Sequence, residues 1–373
     1  MRILLVAERF SIGVLDLAAY YEKLGHEVEC AITARLDEHK GAYDVVGLSF
    51  FGFDSNGLAV SVSSIVKQLN SLHNRYPQSK LWLGGRALSL LPPTILQTLK
   101  DQSICEKVCE GDGELLLSDS FTTDDYPAWT RRHVRQMVGK DRRPNVISVQ
   151  SARGCPYACT FCHRSQKLKL FAPERTVINM TLATEEAQLP MIVDDIFTLR
   201  AERMAAIRHG LDRAGVRYQK RLRFFSHVKH RNEDEIAAFD PDEVQIGLES
   251  GDDRMLALMG KKTTREENQE AVLRLNEAVR KRVVGLFLIG FPGENEESLK
   301  NTLSFVRLTK HCYKKIWVSY FIPVPNTPGM DMALKQGTIR ERPVSNREIA
   351  YVDQQLTEDK LVKYHDLILA AAK

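Results

Sequence analysis

Three cysteines, Cys155, Cys159 and Cys162, stand in CxxxCxxC spacing within Ser151-Ala-Arg-Gly-Cys-Pro-Tyr-Ala-Cys-Thr-Phe-Cys162. Three thiolates on one short loop can bind three irons of a four-iron cluster and leave the fourth iron open to a bidentate ligand, whereas an all-cysteine electron-transfer site supplies a fourth thiolate. The open iron makes such a site chemical and not merely electron-storing. A structural zinc site completed by His163 is the competing reading. Adjacent residues seldom both reach one tetrahedral metal from a tight loop, and no distant CxxC supplies the missing ligands.

The chain around this loop has 373 residues, enough for two domains of ordinary size, each with its own core. Its composition, 43% hydrophobic and 27% charged, is globular, and no run of about 18 apolar residues predicts a membrane span. The short apolar run after Met1 meets Glu8-Arg9 where a signal peptide would still be apolar, so the expectation is a protein that is not exported. Seven cysteines, three of them in one loop, argue against a disulfide framework and for a reducing cytoplasm. Cys30 and Cys109 lie in strand-like segments and read as buried thiols, while Cys105 and Cys312 have no evident partner. A net charge of +4 does not call for a nucleic-acid partner, and the basic stretches at Arg131–Arg135 and Asp141–Arg143 read as a solvated linker face.

The elements that position the cysteines follow from hydrophobic patterning. Residues 2–7 read as a buried strand, Gly13–Leu24 as a helix ended by Gly25, and Glu27–Ala31, Asp44–Ser49, Lys80–Gly84 and Lys107–Cys109 as further strands separated by helices. That alternation predicts a doubly wound, flavodoxin- or Rossmann-like parallel sheet over residues 1–117, whose ligands would lie beyond the strands' C-terminal ends. Residues 118–144 change character and read as a linker, with Trp129 as a hydrophobic anchor over the next domain's mouth.

From residue 145 the pattern restarts. Strands are expected at Val146–Gln150, Met191–Asp194, Leu222–Ser226, Glu243–Glu249, Val283–Gly290 and Lys315–Phe321, giving six βα units over residues 145–330. In β/α barrels chemistry sits at strand C-termini, and the cysteine loop, Asp194-Asp195, Ser226, Glu249-Ser250 and Gly290 all fall there. Pro323–Gly329 is expected to rim the opening, and the extension 331–373 to be mostly helical, with a helical segment from Ser345 to Lys373.

The CxxxCxxC loop, with Phe161 before its third cysteine, resembles the radical S-adenosylmethionine (SAM) superfamily, and the six βα units resemble its partial (β/α)6 barrel. The resemblance implies a 4Fe-4S cluster on the three cysteines. SAM would bind the open iron through its amino and carboxylate groups and be cleaved to a 5′-deoxyadenosyl radical. Val193-Asp-Asp-Ile-Phe197 is similar to the family segment that receives the SAM amino group, which points to Asp194 or Asp195; alternatively Asp195 caps the following helix. Glu249 in Gly247-Leu-Glu-Ser-Gly251 is placed like the family's ribose-binding acid, and a carboxylate can accept two hydroxyl hydrogen bonds at once. The alternative for Glu249 is an ordinary ion pair with a nearby Lys or Arg. Ser226 and Ser250 join this SAM-binding set by position. Gly285–Glu294, with Gly290, resembles the segment that pairs with adenine, and Phe161 would pack on the base. His163, His227, Lys229, His230 and Tyr320 lie near strand ends as rim residues.

The N-terminal sheet, read the same way, resembles a cobalamin-binding domain. The implied contacts are Gly13 after the first strand, Ser49 after the third, Gly84-Gly85 after the fourth, and Glu110-Gly111 after the fifth. Glu8 and Phe10 replace the family's Asp and His of the first motif, and Phe51 replaces a leucine, so no histidine ligates cobalt from below. Gly-Gly lets backbone approach a bulky ligand, and Ser49 can hydrogen-bond a nucleotide tail; a strand-to-loop turn and a helix cap are the bland alternatives.

Together these resemblances imply a cytoplasmic radical SAM enzyme that methylates an unactivated carbon with cobalamin's help. The substrate would be a small molecule or peptide, with a flavodoxin- or ferredoxin-type reductant. The nearest rival keeps the radical and omits methyl transfer, giving epimerisation, rearrangement, ring contraction or dehydrogenation. A tRNA methylthiotransferase is a rival from another class; it should carry a second cysteine triad before the barrel and a nucleic-acid-binding tail.

Overall fold

The computed structural model describes residues 1–50, 62–85, 88, 91, 93–101, 105–124, 126–139, 144–163, 167–340 and 348–373. Phe51 and the Asp141–Arg143 stretch lie outside the described residues. The chain forms two compact units. One comprises Met1–Asp54, Leu58–Gln150 and Lys169–Gln188, and the other Ser55–Gly57, Ser151–Leu168 and Leu189–Lys373.

The first unit carries five parallel strands in the order Glu27–Ile32, Arg2–Ala7, Val45–Ser49, Lys80–Gly84, Lys107–Val108. This is the expected doubly wound order, and its switch point falls between the strands ending at Ala7 and Ser49. The central strands are almost wholly apolar because both faces are covered; Ile3, Leu4, Val6 and Val46 are fully buried. Ser11 starts the helix Ile12–Lys23 by accepting the Val14 amide N–H with its hydroxyl at 3.4 Å.

The segment read as a linker is more ordered than its composition suggests. Helix Arg131–Val138 forms within it, opened by a reciprocal cap between Thr130 and His133. Trp129 is buried inside the first unit, where its indole N–H donates to the Asp16 carboxylate at 2.7 Å and its amide N–H to Asn179 Oδ1 at 2.9 Å. The Arg175 guanidinium also pairs with Asp16, 4.1 Å over the Phe171 ring. Trp129 therefore locks helix Ile12–Lys23 to helix Pro173–Glu186, where the sequence suggested a cover for the next domain. A buried indole must satisfy its N–H, and the buried Asp16 is the acceptor within reach.

In the second unit five strands run parallel in the order Tyr313–Tyr320, Val283–Ile289, Glu243–Glu249, Arg223–Ser226, Leu189–Ile192. The strand expected to deliver the cysteine loop forms as Val146–Val149. Helices Ala201–Arg213, Arg265–Val279 and Glu296–Thr309 follow strands as the βα pattern requires, the last two opened by capping boxes at Thr264 and Asn295. Among the described residues of the C-terminal extension, Pro328–Gln336 and Glu358–Ala371 are helical, and Gly337–Ile339 pairs antiparallel with Tyr351–Asp353. Among the described residues no helix is long and apolar enough to cross a membrane.

Candidate functional site

The cysteine loop is held from three directions by parts of the second unit. The Asp194 carboxylate accepts the Ser151 amide N–H at 2.6 Å, the Ala152 amide N–H at 3.0 Å and the Ser151 hydroxyl, while the Arg203 guanidinium donates to the Ser151 carbonyl at 2.6 Å. Thr160 donates its amide N–H to the Met259 carbonyl at 2.9 Å and its hydroxyl to the Leu258 carbonyl at 3.0 Å. The Gly329 amide N–H donates to the Thr160 carbonyl at 2.8 Å, so the Pro323–Gly329 segment meets this loop directly. The Tyr157 ring stacks on His227 at 4.0 Å and 12°. Within this frame Cys155 and Cys159 are half-buried and Cys162 is exposed, whereas the other four cysteines are buried; none of the seven is in a disulfide. Donor chemistry and exposure both single out the three expected thiols.

The acidic pair expected to meet SAM divides its work. Asp194 is 1% exposed and its oxygens are committed to the start of the cysteine loop; burial pushes its carboxyl up to about 6 against the hydrogen bonds from Ser151 and Ala152. It therefore positions the loop and is not open to an ammonium group. Asp195 is exposed and available. The alternative that Asp195 caps the next helix does not hold, since Arg200 occupies the cap of helix Ala201–Arg213 and makes no side-chain capping bond.

Ser226 and Ser250 are similarly engaged within the protein. The Ser226 hydroxyl, 5% exposed, lies 3.0 Å from that of Thr198. Ser250 is fully buried, with its hydroxyl 3.1 Å from Thr302 Oγ1 and accepting the Asp252 amide N–H at 3.2 Å, where it shapes the entry to helix Asp253–Leu258. Gly290 adopts φ +77°, and its amide N–H donates to the Glu294 carboxyl. The buried Glu294 carboxyl is pushed up to about 8 by desolvation, with Asp252 adding to the rise.

Glu249 is the most constrained of the expected residues. Its φ of +61° places a non-glycine residue in the left-handed region, and the pairing register with Val283–Ile289 shifts between Gly247 and Glu249. The bulge turns the carboxylate onto Lys261, whose Nζ lies 3.0 Å from Glu249 Oε1 with side-chain exposures of 7% and 13%. Gly247 supplies the room: a Cβ there would fall 2.5 Å from Glu249 Oε1 and 2.8 Å from Lys261 Nζ. Lys261 follows Gly260, at φ +63°, which lies against the Ala158 carbonyl of the cysteine loop. Burial lowers the ammonium's pKa, but Glu249, with Cys159 and Cys155 nearby, more than offsets that and leaves it raised. Sequence reasoning missed Lys261. Its only signal was its place after a glycine that ends the apolar helix Asp253–Leu258, a site where the chain turns inward.

Phe161 and Glu249 face one cavity of about 450 Å³, which continues along the strands past Gln245, Phe225, Leu286 and Trp317 to Glu243 and Lys315. Phe161 is half-buried against Met255, Met259, Phe291 and Phe321. A ring and a carboxylate at one cavity mouth can hold a nucleoside by stacking and by its ribose diol. Of the rim residues, Tyr320 is buried and stacks on His365 at 4.9 Å, and Lys229 pairs with Glu267 at 3.5 Å. His227 is 4% exposed, its Nδ1 accepts the Lys229 amide N–H at 3.1 Å, and burial, with Lys261 nearby, lowers its pKa to about 3, so it is neutral.

In the first unit the expected contacts lie at the sheet's C-terminal end but differ in freedom. Gly85 has φ +112°, and a Cβ there would fall 2.2 Å from the Phe50 carbonyl oxygen, so this glycine is required by the chain's own backbone. Gly84 and Gly13 have ordinary space, Gly111 has nothing within 4 Å of a would-be Cβ, and Ser49 is half-buried. Glu110 is exposed and pairs with Lys100 at 2.5 Å. Glu8 accepts from the Gln68 side-chain amide at 2.5 Å.

Residues 149–306 match the family model described as the Radical SAM superfamily, so this part of the chain is a radical SAM domain. More particularly, the chain's fold is similar to that of a radical SAM methyltransferase, TsrM, from Kitasatospora setae, solved with cobalamin and a [4Fe-4S] cluster bound. The TM-score is 0.71 at 17% identity, covering 98% of this chain and 84% of that one. A tRNA-2-methylthio-N(6)-dimethylallyladenosine synthase from Pelobacter propionicus is 36% identical over 122 residues, 31% of this chain and 27% of that protein. Bacteriochlorophyllide d C-12(1)-methyltransferase from Chlorobaculum tepidum is 24% identical over 193 residues, 49% of this chain and 41% of that protein. The chain spans less than half the length of the curated relatives it matches.

Proposed function

We propose that this chain holds a [4Fe-4S] cluster on Cys155, Cys159 and Cys162, cleaves SAM reductively, and uses cobalamin in its N-terminal sheet to methylate an unactivated carbon of a small molecule or peptide. The observation that carries the reading is the cavity shared by Phe161 of the cysteine loop and Glu249 at a strand end. When bound, the cluster supplies the electron that breaks a SAM carbon–sulfur bond and cobalamin carries the methyl group. The protein's own residues bind and orient. Asp195 receives the SAM ammonium, Glu249 the ribose diol, Phe161 the adenine face and the Gly290 region the base edge, while Asp194 fixes the loop. A flavodoxin- or ferredoxin-type partner in the cytoplasm delivers the electron.

The residues fit both groups. Three half-buried or exposed thiols on one clamped loop suit a cluster with one open iron. At the first sheet's end, Gly111 is unobstructed, Glu8 is turned to Gln68, and Phe10 offers no ligand atom, which suits a corrin without a protein ligand below. The cysteines before the barrel support methylation over methylthiolation. Cys30 lies on one edge strand and Cys109 just past the opposite edge strand, four strand spacings or roughly 19 Å away, too far to share a cluster.

Non-methylating radical chemistry is the second reading, favoured by Gly85, whose glycine requirement is met by Phe50 without any ligand. Anaerobic reconstitution with iron, sulfide and hydroxocobalamin separates the two. About one cobalamin per chain, with equal yields of S-adenosylhomocysteine and 5′-deoxyadenosine on a methyl-accepting substrate, is the expected result. 5′-Deoxyadenosine alone, with no cobalamin retained, overturns the methylation reading.

A further inference from the structure

The pair Lys261–Glu249 has more structure devoted to it than a ribose contact needs. A bulge, a left-handed Glu249 and a side-chain-free Gly247 together bury an ammonium and a carboxylate 3.0 Å apart. Burying such a pair is expensive, and replacement by apolar residues is often neutral or stabilising, so retention calls for a use of the charges themselves. Two links tie Lys261 to the cysteine loop. Thr160 is hydrogen-bonded to Met259 and Leu258, and Gly260 lies against the Ala158 carbonyl, its would-be Cβ 3.2 Å from that oxygen. The residue next in line is Lys261, whose buried ammonium lies 3.0 Å from Glu249.

We propose that Lys261 is a positioning residue with two linked tasks: it holds the Glu249 carboxylate at the cavity mouth, and its charge favours electron uptake by the cluster on Cys155, Cys159 and Cys162. This rests on the cluster assignment made above. The redox step is the one-electron reduction of the [4Fe-4S]2+ state to [4Fe-4S]+, the electron coming from an external low-potential donor. A nearby cation stabilises the more negative reduced state and a nearby anion opposes it, and the effect is large where water is excluded. Lys261 and Glu249 therefore act with opposite signs on the same equilibrium.

The test is a redox titration of the reconstituted full chain with dithionite and mediators, followed by electron paramagnetic resonance in the absence of SAM. K261M is expected to make reduction at least tenfold less favourable, a fall of about 59 mV for a one-electron couple. K261R should lie within twofold of the wild type. E249Q, which removes the negative partner, should shift the equilibrium the other way. Because K261M leaves a buried carboxylate unpaired, the K261M/E249Q double variant controls for folding and should lie between the two single variants. A K261M potential equal to wild type at four irons per chain overturns the proposal, as do shifts of the same sign in K261M and E249Q. A wild-type chain that binds no iron overturns the cluster assignment itself and the inference with it.

Discussion

The two units present glycines at the same topological place, the C-terminal ends of parallel strands, and use them for opposite ends. In the second unit Gly247 leaves a notch that two charged side chains fill, next to the cysteine loop. In the first unit Gly85 leaves a notch that the Phe50 backbone fills. A glycine at a strand end thus marks a close approach and says nothing about what approaches. The second unit's notch holds desolvated charge, which packing alone would not retain; the first unit's notch is explained by packing alone.

The largest effect should come from the cysteines. C155A, C159A or C162A should each abolish SAM cleavage and lower bound iron from about four per chain after reconstitution, with the thermal transition of the iron-free chain nearly unmoved because these thiols carry little of the core. Full cleavage activity in any one of them would remove the loop from the chemistry.

Glycine substitutions sharpen the comparison next. G85A must place a Cβ 2.2 Å from the Phe50 carbonyl at a φ that L-residues avoid, and should destabilise the chain by about 3 kcal/mol. G84A, whose Cβ would lie 3.7 Å from Cys109, should change stability by under about 1 kcal/mol. G247A displaces only the ends of Glu249 and Lys261, so its expected signature is roughly tenfold weaker SAM binding, a loss of about 1.4 kcal/mol, with a smaller loss of stability than G85A. Denaturant unfolding and equilibrium SAM binding distinguish the three. If G85A left stability intact and removed cobalamin binding, the contrast between the units would collapse.

What the sequence made legible was periodic or contiguous. The strand runs, the CxxxCxxC loop and the Gly247–Gly251 segment announce themselves within a dozen residues, and each formed where expected to within a few positions. What escaped depended on partners far along the chain. Lys261 reads locally as half of a solvated Lys-Lys pair, and only the bulge at Glu249, 12 residues away, shows why it is buried. Ser226 and Ser250 sit at strand ends, and the hydroxyls they meet, those of Thr198 and Thr302, lie 28 and 52 residues away along the chain. Trp129 looked like a free anchor because its acceptor, Asp16, lies 113 residues earlier. The strands Gly337–Ile339 and Tyr351–Asp353 are too short to carry an alternation.

The smallest effect isolates Glu294, at the end of the segment expected to meet adenine. Its carboxyl is fully buried beside Asp252 and Arg254, accepts the Gly290 amide N–H, and is pushed up to about 8, largely by desolvation. Because the folded-state pKa lies above the unfolded one, its contribution to stability is fully present below about pH 4.5 and is lost as pH rises through about 8. Over that window the folded chain holds a proton that the unfolded chain has released, so stability falls with rising pH, the reverse of a salt-bridged carboxylate; Asp194, raised to about 6, adds to the same trend at its lower end. E294Q keeps the acceptor oxygen and cannot ionise. Its thermal midpoint should match wild type within a few degrees at pH 6 and exceed it at pH 9, and parallel curves across that range would show that the Glu294 proton is not held by the fold.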